Sequence, residues 1–299
     1  MPPKPIRELR DLTRYRKSLV WERQREANRL QKLLEDANIK LASVATRVLG
    51  ASGRAMLAEL CGGRNDPEAL AELARGKLRR KLPELRKALT GRFSSHHALL
   101  LSHLISHIDY LDETIDSLSA EIEERLRPFE HKVELLTTIP GVGQRTAEAI
   151  LAELGADMQR FPDHRHVPSW AAICPGNEES AGKRKTGKTR KGDSWLRTAL
   201  IEAANSAAAR TRDTYLNAQY MRIKRRRGHS KAIVAVAHSI LIAAYHILKD
   251  DVPYQDLGGD YFTRRADPNR IAKRLVAQLE RLGHTVTLET STAEVPAAA

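Results

Sequence analysis

Residues 101–122 read LSHLISHIDYLDETIDSLSAEI, and within them Leu101, Leu104, Ile108, Leu111, Ile115, Leu118 and Ile122 step alternately by three and by four. Such steps average about 3.5 residues, so these side chains line one seam of a helix built to pack along its length, as in a coiled coil. The fold class expected from this stretch is mainly α. The seam is expected to join copies of the chain into a homo-oligomer. His103 and His107 lie four apart on the same helix, a spacing at which two imidazoles could share a metal. No third ligand accompanies them, and packed or solvated histidines are the better reading.

Upstream, residues 7–34 are highly charged, with Leu9, Leu12, Tyr15, Leu19, Leu30 and Leu33 at loose helical spacing. That is a long helix with a narrow apolar stripe, one arm of a hairpin. Residues 42–74 hold shorter amphipathic pieces broken at Gly50, Gly53 and Gly62-Gly63, and Asp66 before Pro67 marks a helix start. The basic run 77–87 reads as a solvated face. Pro128 ends the long-helix portion, which sets expected boundaries of 1–127 for the long helices, 128–250 for a compact helical domain and 251–299 for a tail.

In the compact domain, Ile139-Pro140-Gly141-Val142-Gly143 runs into a helix with Ala147, Ile150, Leu151 and Leu154 on one side. This looks like a helix-hairpin-helix, in which Gly141 and Gly143 would let backbone N–H groups face a phosphate. The bland reading is a tight turn between two helices.

Between Lys183 and Lys191 six of nine residues are basic and none is acidic. Lys183, Arg184, Lys185, Lys188, Arg190 and Lys191 therefore form a phosphate-facing loop, with Arg197 just beyond it. Ser180 stands at its entrance. Neighbouring cations favour an alkoxide and stabilise charge on a phosphoryl group, so Ser180 could be a nucleophile; alternatively it only turns the loop. Gly182-Lys183-Arg184-Lys185-Thr186-Gly187-Lys188-Thr189 also spells a nucleotide-binding P-loop, but no apolar strand precedes it and no helix opens at its end. Asp193 or Ser194 caps the next helix. A second basic run, residues 222–231, contains Lys224, Arg225, Arg226 and Arg227 and precedes an apolar helix over 232–248. That helix is short for a bilayer span, and His238 within it reads as a core histidine. The tail shows a helix start at Asp267-Pro268, a β-like Thr285-Val286-Thr287-Leu288 and an Ala-rich end.

A net charge of +13 makes a polyanion the natural partner, nucleic acid ahead of membrane. Two cysteines, Cys61 and Cys174, exclude a disulfide framework or a Cys-rich zinc site. Met1-Pro2-Pro3-Lys4-Pro5 has no apolar signal region, so a cytoplasmic location with no membrane is expected.

Several of these pieces, in this order, resemble the carboxy-terminal part of a transposase of the IS110/IS116/IS902 family. They are Ile139-Pro140-Gly141-Val142-Gly143, Ser169-Trp170-Ala171 with Cys174-Pro175-Gly176, Glu179-Ser180-Ala181-Gly182-Lys183, Thr189-Arg190-Lys191-Gly192 with Trp195-Leu196-Arg197, and Ala235-Val236-Ala237-His238-Ser239-Ile240. The resemblance implies recombination of insertion-element DNA with target DNA, guided by a structured RNA, with Ser180 as the nucleophile. It also implies an amino-terminal RuvC-like acidic domain holding divalent metal (magnesium). Here Met1 stands almost against the segment Ile6-Arg7-Glu8-Leu9-Arg10-Asp11-Leu12 that would follow such a domain. This chain is therefore expected to bind no cofactor itself, and to be inactive without that domain. The alternative is a non-enzymatic nucleic-acid-binding protein using the hairpin and basic runs alone.

Overall fold

The apolar seam finds its partner within the chain. In the computed structural model, which describes residues 2–175, 178–186, 188–189, 191–265 and 267–288 (without the side chains of 178, 179, 184–186, 268, 270 and 271), helix α1 (Lys4–Asp36) pairs with α6 (Ser95–Leu126). The pair is antiparallel: Glu8 meets Arg125 at 3.0 Å, Arg23 meets Asp112, and Asp36 meets His97 at 3.4 Å. Leu101, Ile108, Leu111, Ile115 and Ile122 are buried, facing Leu9, Leu19, Leu30 and Leu34 of α1. The two arms are 33 and 32 residues long and tethered in one chain, which raises the effective concentration of one for the other along this stripe.

Between the arms lie α2 (Leu41–Val44), α3 (Ala51–Cys61), α4 (Pro67–Glu72) and α5 (Leu82–Leu89). Their Leu41, Met56, Leu57, Leu60, Leu70, Leu85 and Leu89 make one core with Leu30, Leu34 and Leu101. Asp66 caps α4 by accepting from the Glu68 and Ala69 N–H groups. These elements form one compact unit, Met1–Glu130; the second is His131–Ala299.

The second unit is built on small residues. Helices α10 (Ser194–Arg210), α11 (Tyr215–Arg227) and α12 (His229–Asp250) pack together, with α8 (Gln144–Leu154) on α10 and α9 (His166–Trp170) on α12. Ala203, Ala204 and Ala207 of α10 and Ala232, Ala237 and Ala244 of α12 are buried, which lets helix backbones approach closely. Asp193 caps α10, accepting from the Trp195 and Leu196 N–H groups at 2.9 and 3.0 Å. By length and composition α12 is one helix long and apolar enough to cross a bilayer; here it is the central helix of this unit, touching α9, α10 and α11. The short helix α13 (Tyr261–Arg264) returns to α11: its Tyr261 and Phe262 pack on Tyr215 at 5.1 and 5.2 Å.

Helix α7 (Glu130–Thr137) leads into the turn before α8. Two expectations are amended. The basic segment is a hairpin, with β1 (Glu178–Ser180) antiparallel to β2 (Lys183–Thr186), because the chain can turn back at Ala181-Gly182. Residues 285–288 form no strand; their alternating pattern has no partner to supply a ladder, and a lone strand is unstable. They follow α14 (Pro268–Arg281), capped by Asp267 as anticipated. The Ala-rich end lies outside the described residues.

Candidate nucleic-acid interface

Ser180 is the last residue of β1 and is directly opposite Lys183, the first of β2. The two residues between them, Ala181 at φ 51° and Gly182 at φ 72°, both lie in the left-handed region. That is the signature of a type I′ turn, whose twist matches a hairpin, and Gly182 supplies the second position without strain. Directly opposed residues share a face of the ladder with Cβ atoms about 5 Å apart, so the Lys183 side chain leaves the hairpin on the same face as the Ser180 hydroxyl. Both side chains are exposed, and the Ser180 hydroxyl has no hydrogen-bond partner among the described residues.

The base of the hairpin is anchored. Pro175 bridges Thr189, and Arg197 Nη1 donates to Thr189 Oγ1 at 2.6 Å and to the Ala172 carbonyl at 2.9 Å. Arg197, expected to hold phosphate, thus has its Nη1 committed to the loop that presents the hairpin. Lys183, Lys188 and Lys191 are exposed. Arg190 and the side chains of Arg184 and Lys185 lie outside the described residues.

Gly141 and Gly143 differ in surroundings. Gly141 has φ 89° and rests against α10, where an added Cβ would fall 2.5 Å from the Ala203 carbonyl oxygen. Its place is a packing requirement of the turn. Gly143 is the N-cap of α8, with open space around it and exposed Gln144 and Arg145 following. Nothing packs against Gly143, so the amino end of α8 is open on that side.

Lys224, Arg225, Arg226 and Arg227 form the last turn of α11 and are exposed. Cations at a helix carboxy end are favourable in themselves, so this cluster is stable without a ligand. Arg222, just before this turn, stacks on Phe262 at 4.2 Å and is itself exposed.

Between the hairpin base, α11 and α12 opens a cleft of about 910 Å³. Its polar lining includes Lys188, Arg197, Gln219, Lys231, His238 and Ser239. Burial lowers the His238 pKa, aided by nearby His164, so the ring is neutral at pH 7. The sequence reading placed His238 in the core; it is half-buried and lines this cleft. Gln219 was missed altogether, since a lone amide on a basic helix carries no signal until α12 is packed against it. Among the described residues no group of three or more His, Cys, Asp or Glu is placed to hold a metal ion.

Residues 133–221 match the family described as Transposase IS116/IS110/IS902. The family match is confined to this segment. It takes in α8, the Ser180 hairpin, α10 and the first half of α11, while α12 lies beyond it. The chain is 32% identical over 106 residues to the transposase for insertion sequence element IS1328 of Yersinia enterocolitica, covering 35% of this chain and 31% of that protein. It is 26% identical over 275 residues to the uncharacterized 43.6 kDa protein of insertion element IS110 of Streptomyces coelicolor, covering 83% and 64%. A pilin gene-inverting protein of Moraxella bovis is 22% identical over 160 residues, covering 51% and 49%. The chain spans less than two-thirds of the length of the curated relatives it matches.

Proposed function

We propose that this chain binds insertion-element and target DNA through the hairpin and the carboxy end of α11, and that Ser180 is the nucleophile of a strand-exchange reaction. The observation that carries this reading is the exposed Ser180 hydroxyl opposite Lys183, at the tip of a hairpin anchored at its base. Attack of Ser180 Oγ on phosphorus forms a Ser–O–P bond and breaks one P–O bond to deoxyribose; the serine proton passes to solvent, and the leaving sugar oxygen takes one up from solvent to become a hydroxyl. Lys183 stands where it can offset the charge that builds on the phosphoryl oxygens. The family match of the surrounding segment, and a relative named for inverting a gene, support DNA rearrangement as the outcome. A structured guide RNA is a further partner under this reading, since the same cations serve any phosphodiester backbone.

One observation favours a second reading, binding without cleavage: no general base contacts Ser180 among the described residues. The two separate cleanly. Incubation with element DNA, followed by denaturation, should leave a covalent protein–DNA adduct that Ser180→Ala abolishes while affinity changes less than about twofold. No adduct in the wild type, or one that survives the substitution, rules out the nucleophile.

A further inference from the structure

The first unit carries its own concentration of positive charge, apart from the hairpin and α11. A cleft of about 540 Å³ opens between the residues that enter α3 and the tight helical turn Gly76–Lys81 that precedes α5. Four cations line it, Arg47, Arg75, Lys77 and Lys81, and no acidic residue does. All four are exposed, so a ligand arriving from solvent reaches them directly. The basic run 77–87 is thereby sorted into two kinds. Arg79 and Arg86 share Glu72 at 3.2 and 3.4 Å, whereas none of the four cleft side chains has an ion pair among the described residues.

The walls of the cleft are tied together. The Arg75 N–H donates to Ser52 Oγ at 2.9 Å, and Ser52 keeps its own proton to donate. Gly76 turns the chain at φ 58°, a left-handed conformation natural to glycine, and so brings Lys77 and Lys81 to the same opening as Arg47. Like charges gathered in one concavity repel one another, and its walls concentrate their field on an entering anion. The lining also says which anion. It has no aromatic ring to stack a base and no side-chain amide to read a base edge. Guanidinium forks and ammonium groups suit phosphate oxygens, and several cations in one cleft suit successive phosphates of a strand.

We infer that this cleft binds the phosphodiester backbone of nucleic acid without base readout, giving the first unit an attachment in addition to those of the second. This rests on the reading that the chain binds nucleic acid, and it adds that the first unit takes part. DNA and RNA carry the same backbone charge, so the experiment has an arm for each.

The salt dependence of the full chain's affinity for a DNA duplex and for an RNA hairpin tests this. Arg75→Gln with Lys81→Gln should flatten the slope of log affinity against log salt by about 1 to 2 units on the nucleic acid that occupies the cleft. Lys87→Gln with Arg92→Gln removes the same charge from exposed positions of the same unit outside the cleft, and should leave both slopes unchanged. Thermal midpoints at the wild-type value report that both variants are folded. Flattening by the cleft pair on the DNA, on the RNA or on both supports the site and identifies the backbone it takes. Unchanged slopes on both, or equal flattening by the two pairs, overturn it while leaving the nucleic-acid reading of the second unit in place. If the wild type binds neither probe, that reading fails and the cleft falls with it.

Discussion

At the scale of single residues, chemistry and packing compete for the same side chains. Lys183 and Arg197 are both cations of the basic segment, yet one is exposed beside Ser180 and the other spends Nη1 on Thr189 and Ala172. Lys183→Gln should therefore slow adduct formation by roughly 10- to 100-fold, the low end for a charge-stabilising donor because the side chain is solvated, with little loss of affinity. Quench-flow measurement of the adduct checks this; an unchanged rate would remove Lys183 from the reaction. Arg197→Gln should instead loosen the hairpin, seen as faster amide exchange across 178–189. His238 supplies a pH dependence. Its folded pKa is lowered, chiefly by burial and then by His164, so the unfolded chain binds the extra proton first. The stability it contributes is present above the ordinary histidine value of about 6.5 and is lost as pH falls below that, toward the lowered folded value. Urea midpoints measured from pH 8 to pH 5 should decline, and His238→Gln should flatten the decline over that window.

At the scale of elements, the hairpin and the last turn of α11 each follow a local rule. Ala181 holds a left-handed conformation that Asn adopts more readily, and Asn-Gly is the preferred pair for a type I′ turn. Ala181→Asn is expected to stabilise the hairpin by about 0.5–1 kcal/mol, measured as slower amide exchange over β1 and β2. The Lys224-Arg225-Arg226-Arg227 cluster is favoured by its own helix dipole, so its presence alone does not prove a ligand. Replacing Lys224, Arg225 and Arg226 by Gln together decides the matter. If all three meet phosphates, the slope of log affinity against log salt should flatten by about 3 units. An unchanged slope would leave the cluster as a solvated helix end.

At the scale of the molecule, the chain divides its apolar residues between two cores of different character. The first is a long antiparallel pair with Leu19, Leu111 and Ile115 in its seam. Leu111→Ala should cost about 2–5 kcal/mol there, because α1 and α6 cannot collapse onto the gap along a straight seam. Hydrogen exchange should show lost protection in α1 and α6, with α10 and α12 unchanged. Equal loss in both units would mean that they do not unfold separately.

Much of this architecture is a property of the sequence. The three-and-four spacing from Leu101 to Ile122, the alanine pairs of α10 and the caps at Asp66, Asp193 and Asp267 are local patterns, and local patterns fix helices because their hydrogen bonds close within a few residues. The same holds for the basic segment and for Ser180 within it. The tertiary structure alone decided what those helices pack against. A seam cannot specify whether its partner lies in the same chain, and here α1 fills it. Nor can a run of cations show which members are exposed, as Lys183 is, and which are bound to backbone, as Arg197 is. The cleft beside the hairpin base was invisible for the same reason: Gln219 and Ser239 are 20 residues apart, and only the packing of α11 on α12 brings them together.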